Sequence, residues 1–211
     1  MLDEEARSCA AQSDDSFGRL REPFNRYVQL CRSFEASNEN GHYRNLTHNI
    51  MQYVGQKPFR APSVFNFFQP DYQPIGPVEE ANLVAPEFQI TNTRTIAGYM
   101  NALNSWLIYD QIVDDGGYGF YTENDPADKT QLNFTHEITM TDEHELPALI
   151  DRLNLILAHG ALSQRSKALI LPMLKDFVLE GQAENIERLR LLRVKMAVIL
   201  IMSSPEYLIN R

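Results

Sequence analysis

Apolar residues recur at steps of three and four along much of the chain, which is the spacing of one face of a helix. Thr93 or Thr95 could accept the first amide hydrogen bonds of the clearest such helix. Its apolar stripe consists of Ile96, Tyr99, Met100, Leu103, Trp106 and Leu107. Just upstream, Pro86 is suited to open a short helix.

An earlier helix is predicted from about residue 20 to 36, with Pro23 in its first turn. One face of it carries the residues Phe24, Tyr27, Val28 and Cys31.

The second half of the chain predicts three more helices. Asp142 and Glu145 have the spacing of a capping box before the first of them, and Gly160 is suited to end it. Its stripe consists of Leu146, Leu149, Ile150, Leu153, Ile156 and Leu157.

Ser163 is suited to cap the next helix, which is predicted to reach about residue 178 with a bend at Pro172. A final long helix is predicted over 185–202, and Ser204 with Pro205 has the pattern that opens one last turn. The apolar run 196–202 is too short to cross a bilayer, which needs about 20 residues, so we expect it to be buried.

Residues 56–77, which we call the strap, break the helical pattern. Five prolines in this segment exclude a long helix or a central strand. The strap also carries the aromatic residues Phe59, Phe65, Phe67, Phe68 and Tyr72. We expect these rings to hold the strap against bundled helices, with Phe65, Phe67 and Phe68 filling a groove.

Residues 110–145 contain ten acidic residues and one basic residue, Lys129. This composition predicts an acidic insertion on the surface, either irregular throughout or with a short hairpin. Taken together, the patterns predict an all-α fold, in which one irregular helical bundle spans residues 1–211 and the strap lies over it.

Composition narrows the classes of function. The 211 residues carry a net charge of −9, so no basic face for nucleic acid is expected. Neither a secretory signal nor a membrane-spanning segment is visible. Cys9 and Cys31 could pair in an oxidising compartment or remain free thiols.

Motifs for common chemistries are missing from the sequence. There is no serine elbow, phosphate loop or zinc-binding histidine pair, so no cofactor is predicted. A weak calcium hypothesis rests on carboxylates in the acidic insertion, although their spacing is not that of an EF-hand. These are Asp114, Asp115, Asp125 and Asp128.

Several motifs occur in an order that resembles the C-terminal part of the domain-of-unknown-function 1800 family. They are residues 20–23 (LREP), 58–59 (PF), 62–68 (PSVFNFF), 70–72 (PDY), 83–90 (LVAPEFQI) and 204–208 (SPEYL). The resemblance implies a bacterial exported protein, located in the periplasm or outside the cell. It also implies that an N-terminal half precedes this chain in the whole protein. It supplies no catalytic residue.

The candidate binding residues come from these motifs. Aromatic rings of the strap could stack on a sugar or a peptide, with Asn66 and Asp71 making polar contacts. We also consider a polar pocket in which Arg21, Asp71 and Glu87 converge. The complete candidate set is Arg21, Phe65, Asn66, Phe68, Asp71, Tyr72 and Glu87.

Two functions are consistent with the sequence. The first is a non-enzymatic module of the bacterial cell envelope that contacts a protein or an extracellular polymer. The second is a hydrolase-like enzyme whose site is completed by the N-terminal half. A concave pocket lined by polar side chains with shifted pKa values would favour the hydrolase-like enzyme.

Overall fold

The computed structural model describes residues 17–39, 53–110, 130–177 and 183–210, together with Ser8 and Gly41. Helices dominate these residues, as the sequence predicts. The α-helices are α1 (Pro23–Ser33), α2 (Pro77–Glu80), α3 (Thr93–Leu107), α4 (Thr135–Ile138), α5 (Leu146–Ala158), α6 (Gln164–Lys175), α7 (Ala183–Met202) and α8 (Pro205–Leu208). One 3₁₀ helix spans Pro86–Ile90, and the strands are β1 (Arg19–Leu20) and β2 (Ile209–Asn210).

Helix α7 is the centre of the bundle, and α3, α4, α5 and α6 all pack against it. The apolar run near its C-terminal end therefore meets other helices, as the sequence predicts for a buried segment. Its fully buried residues are Val194, Ala197, Val198, Ile201 and Met202.

A short antiparallel ribbon joins the two ends of the described chain. Arg19 lies opposite Asn210, and Leu20 lies opposite Ile209. The Arg21 amide continues the ribbon by donating to the carbonyl of Leu208 at 2.7 Å. The residues that precede α1 are thereby fixed against α8.

Helix α1 is shorter than predicted, and its predicted face is only partly buried, although Tyr27 and Cys31 pack against the core. Pro23 lies in its first turn, as predicted. Arg26 and Leu30 face the core, whereas Phe24 is 36% exposed. Tyr27 is half-buried against Trp106, with ring centroids 5.2 Å apart. The prediction missed Arg26 because periodicity alone treats a charged residue as solvent-facing.

Helix α3 matches its predicted length but not its predicted cap. Asn92, rather than a threonine, accepts from the Thr95 amide at 3.1 Å, and Thr95 returns the contact to the Asn92 amide. Ile96 and Met100 remain 55% and 41% exposed, because their end of the stripe borders a cavity of ≈ 340 Å³ instead of a helix.

The ends of α5, α6 and α8 follow their local signals with one exception. His159 adopts a left-handed conformation (φ 53°) just before Gly160 and ends α5. Ser163 caps α6 and Ser204 caps α8, as predicted. The predicted capping box at the start of α5 is wrong, since Asp142 instead binds Arg190 at 2.8 Å.

The predicted acidic insertion is only partly within the described residues. From residue 130 onward the chain belongs to the helical body, because Phe134, Glu137 and Thr141 are buried. Phe134 packs on Phe34 with ring centroids 4.5 Å apart. This part of the stretch is therefore not a surface excursion, and 111–129, where a hairpin could lie, falls outside the described residues.

The turn before the strap lies directly against α3. A Cβ atom at Gly98 would stand 2.4 Å from the carbonyl oxygen of Tyr53, and one at Gly55 would stand 3.1 Å from Thr95 Cγ2. Glycine at these two positions lets the backbones approach closely enough to set where the strap begins.

Candidate functional site

The strap is tied to the helical body at several points. Gln56 is buried, accepts from the Phe24 amide at 2.9 Å and donates to the Glu22 carboxylate. Farther along, the Gln69 amide donates to Gln89 Oε1 at 2.5 Å. These bonds hold the strap between the start of α1 and the 3₁₀ helix.

Turns inside the strap satisfy its own backbone. The Arg60 amide donates to the carbonyl of Lys57, and the Asn66 amide donates to that of Ser63. The carbonyl of Tyr72 accepts from the Ala85 amide at 2.9 Å. Hydrogen bonds and proline geometry therefore order this segment without requiring its rings to be buried.

Several apolar side chains of the strap face solvent, and for Phe65 this contradicts the expectation that its ring fills a groove. Phe59 is 99% exposed, Val64 96% and Phe65 55%. Phe67 and Phe68 are half-buried. The strap is fixed mainly by polar contacts, so its outer rings are left available.

Two positions of the strap have left-handed backbone conformations. Phe59 has φ 59° and Asn66 has φ 70°. Asparagine tolerates this region, but for a bulky side chain it costs roughly 1–2 kcal/mol. Phe59 is thus held in an unfavourable conformation while also exposing its ring.

The candidate residues of the strap lie within one segment but differ in burial. Phe65, Asn66 and Asp71 are exposed, whereas Phe68 and Tyr72 are half-buried. The first three are therefore placed to contact a partner directly.

Arg21 is buried and serves to join elements. Its Nε donates to Asn210 Oδ1 at 2.9 Å, its Nη1 donates to the carbonyl of Leu157 at 3.1 Å and to Gln29, and its guanidinium lies 4.4 Å from the Tyr207 ring centroid. These contacts link the ribbon, α1, α5 and α8.

The predicted polar pocket of Arg21, Asp71 and Glu87 is not assembled through hydrogen bonds. Glu87 is buried in the 3₁₀ helix, and Asp71 is exposed on the strap. Among the described residues, no hydrogen bond or ion pair joins any two of these three.

A concave pocket of ≈ 580 Å³ borders Arg21, and His159, Glu206 and Asn210 contribute its other polar groups. Burial raises the pKa of Glu206, but hydrogen bonds from Ser163 and Ser166 outweigh this effect and lower the pKa to about 2. Its carboxylate accepts from Ser166 Oγ at 2.6 Å and from the Ser163 amide at 3.2 Å. Glu206 is therefore ionised at neutral pH and ties α8 to the start of α6.

A second pocket, of ≈ 520 Å³, lies where the strap meets the start of α3. Its charged lining residues are Lys57, Arg60 and Arg94, and Phe67 and Ile90 supply apolar walls. Sequence reasoning missed it. The available signal was the presence of two basic residues on either side of Phe59 in an otherwise acidic chain.

Comparison with known proteins places the chain in a family. The model of the family described as "Protein of unknown function (DUF1800)" matches residues 1–209. The chain belongs to the DUF1800 family. No curated protein and no solved structure matches it.

The motifs that carry the DUF1800 resemblance coincide with the contacts described above. Residues 58–72 form most of the strap, and Gln89 accepts from its backbone. Residues 20–23 and 204–208 meet at the ribbon through Arg21 and Tyr207. The family motifs thus include the contacts that position the strap and join the two ends of the described chain.

The calcium hypothesis and the pairing of Cys9 both concern residues of this DUF1800 chain that the structure does not describe. The calcium candidates Asp114, Asp115, Asp125 and Asp128, together with Cys9, lie outside the described residues. Within the described ranges, no three His, Cys, Asp or Glu side chains are grouped to hold a metal ion. No helix in these ranges has both the length and the apolar character to span a membrane.

Proposed function

We propose that this protein is a non-enzymatic interaction module of the bacterial cell envelope, and that it binds its partner through the strap. The observation that carries this proposal is the exposure of Phe59, Val64 and Phe65 on a segment whose backbone is held by hydrogen bonds. Ordered apolar surface that remains in water is typical of interaction sites. Aromatic side chains supply much of the binding energy at such sites.

The conformation of Phe59 supports the same interpretation. A left-handed backbone and 99% exposure both disfavour phenylalanine at this position. Backbone outliers of this kind are concentrated at functional sites. Contact with a partner would compensate by burying the ring.

An extracellular polysaccharide is the partner that the strap fits best. Flat rings in turns stack on the apolar faces of sugars. Asn66 and Asp71, each next to an aromatic residue in the chain, are exposed and can bond hydroxyl groups. The location in the cell envelope rests on the resemblance to exported proteins. A protein partner is the alternative outcome.

The hydrolase alternative has weaker support. The pocket beside Arg21 has a polar lining, but its carboxylate, Glu206, accepts from Ser166 Oγ and has a pKa of about 2. Such a carboxylate is a weak base and does not activate a hydroxyl group near neutral pH. The contacts of Glu206 are those of a structural group.

The strap can be tested with two matched double variants. F59S/F65S removes exposed rings from the strap, whereas L155S/L169S removes apolar side chains that are 66% and 63% exposed on α5 and α6. We expect the wild type and L155S/L169S to co-sediment with purified bacterial cell-wall sacculi, and F59S/F65S to bind at least about tenfold more weakly.

Several outcomes would contradict the proposal. Equal binding by F59S/F65S and the wild type would remove the strap from the interface. Absence of wild-type binding to sacculi and to soluble envelope polysaccharides would exclude the polymer partner. Release of soluble fragments by the wild type would favour the hydrolase.

A further inference from the structure

The pocket where the strap meets the start of α3 is lined by charges of one sign only. All of its charged lining residues are basic, namely Lys57, Arg60 and Arg94, although the whole chain has a net charge of −9. Lys57 is half-buried, and the two arginines are exposed. Like charges around one cavity repel each other, and this repulsion is relieved when an anion enters.

These three cations are also unpaired in the part of the chain that the structure describes. Five other basic residues of the described chain do form ion pairs, namely Arg152 with Glu137, Lys167 with Asp151, Lys175 with Glu143, Arg190 with Asp142 and Lys195 with Asp110. Others, such as Arg32 and Arg165, are unpaired among the described residues, but they do not line this cavity. With 28 acidic residues in the sequence, acids are not scarce. No carboxylate of the described ranges therefore occupies the position that an external anion would take beside these three side chains.

The uncharged residues that line the pocket indicate which kind of molecule bears the anionic group. Phe67 and Ile90 line the cavity with apolar surface, and Asn92 and Thr95 add neutral polar groups at the start of α3. The positive end of this helix adds to the same field. A cavity of ≈ 520 Å³ is within the range of small-molecule sites, and an acidic sugar has both a flat apolar face and a charged group.

We propose that this pocket binds the anionic group of an acidic saccharide, a carboxylate or a phosphate, with Arg60 and Arg94 as its main ligands. Guanidinium groups pair with both anions through two parallel hydrogen bonds, so the two arginines can bind either a carboxylate or a phosphate. The identification of the ligand as a saccharide rests on the proposed function. The inference adds that the polymer recognised by the strap is acidic.

The test uses one polysaccharide in two charge states, together with a phosphate polymer that has no sugar rings. Polygalacturonate supplies carboxylates, its fully methyl-esterified form is the neutral match, and poly(glycerol phosphate) supplies phosphates. We expect calorimetry to show binding of at least one anionic polymer and at least about tenfold weaker binding of the ester. Raising the salt from about 50 to about 500 mM should weaken the charged interaction.

Variants then locate the anion site. R60Q/R94Q should reduce binding of the anionic polymer at least about tenfold. R32Q/R165Q is the control, because it removes the same charge from exposed positions outside the pocket and should retain binding. Circular dichroism would check that both proteins are folded.

The outcomes separate this inference from the proposed function. Equal binding of the acid and the ester, or full binding by R60Q/R94Q, overturns the anion site, and loss of binding in F59S/F65S alone still supports the strap. Loss in R60Q/R94Q but not in F59S/F65S supports the anion site and overturns the role of the exposed rings. Binding to poly(glycerol phosphate) alone supports the anion site but overturns the saccharide as its carrier, and absence of binding to all three polymers overturns both.

Discussion

Arg21 and Arg26, two buried arginines of the described chain, are satisfied largely by carbonyl oxygens and aromatic faces. Arg26 donates to the carbonyl of Arg21 at 2.7 Å and lies 4.6 Å from the Tyr99 ring centroid. Burial lowers the pKa of the Arg26 guanidinium and raises the pKa of Tyr207 to about 12. An arginine keeps its charge under such conditions, so Arg21 and Arg26 act as rigid links between segments.

Glu206 shows how one carboxylate contributes to stability. Its pKa is lower in the folded protein, about 2, than its ordinary value of 4.5. A depressed pKa means that the stabilisation is present above pH 4.5 and is lost as the pH falls toward 2. Hydrogen bonds to a charged acceptor contribute about 1.5–3 kcal/mol each.

We therefore predict that Glu206→Gln lowers the free energy of unfolding by about 1–3 kcal/mol at pH 7. The difference from the wild type should shrink as the pH falls from about 4.5 to about 2. Urea denaturation across this pH range measures it. Glu39→Gln, at an exposed position, is the control, and a pH-independent difference for Glu206→Gln would contradict the assignment.

At the scale of elements, close backbone approach matters as much as helix propensity. Gly98 lies inside α3, where glycine normally costs about 1 kcal/mol relative to alanine. Here the carbonyl of Tyr53 occupies the space that a side chain would need. Packing against the turn before the strap therefore overrides the helical preference.

Gly98→Ala tests this override. Propensity alone predicts a gain of about 1 kcal/mol, whereas a Cβ atom 2.4 Å from the Tyr53 oxygen predicts a net loss of about 1–3 kcal/mol. Thermal denaturation distinguishes the two signs. Asn101→Ala, on the exposed side of the same helix, should be neutral or slightly stabilising. A stabilised Gly98→Ala protein would show that the turn containing Tyr53 moves away from the added Cβ atom at little cost in free energy.

At the scale of the whole molecule, the bundle and the strap have separate roles. Helix α7 and the helices around it bury the core, whereas the strap contributes two half-buried phenylalanines and exposes its outer rings. Stability should therefore reside in the bundle and binding in the strap. If the strap is a binding surface and not part of the core, its exposed rings can be removed without loss of stability.

F59S/F65S should consequently change the free energy of unfolding by less than about 0.5 kcal/mol, because exposed substitutions rarely exceed that value. Leu103→Ala, at a fully buried position of α3, should cost about 2–5 kcal/mol. Urea denaturation of both variants makes the comparison. A large loss in F59S/F65S would mean that these rings stabilise the fold.

Sequence periodicity, prolines and cap residues were sufficient to place the longer helices of the described chain, but they missed the short helices α2 and α4. Pro23, Ser163, Ser204 and Pro205 have their predicted roles, because a helix end is determined by neighbours within a few residues. The same reasoning separated the strap from the bundle. It was less reliable for burial, as the exposed Phe24 and the buried Arg26 show.

The sequence by itself therefore determined the helical class, the order of the main helices and the proline-rich strap between them. Only the tertiary structure decided which rings of the strap face water and which basic residues share a pocket. Arg94 is 34 residues from Arg60, and the two line one cavity only because the strap folds back to the start of α3. Local preferences act over a few residues, whereas burial and charge clustering depend on which distant segments meet.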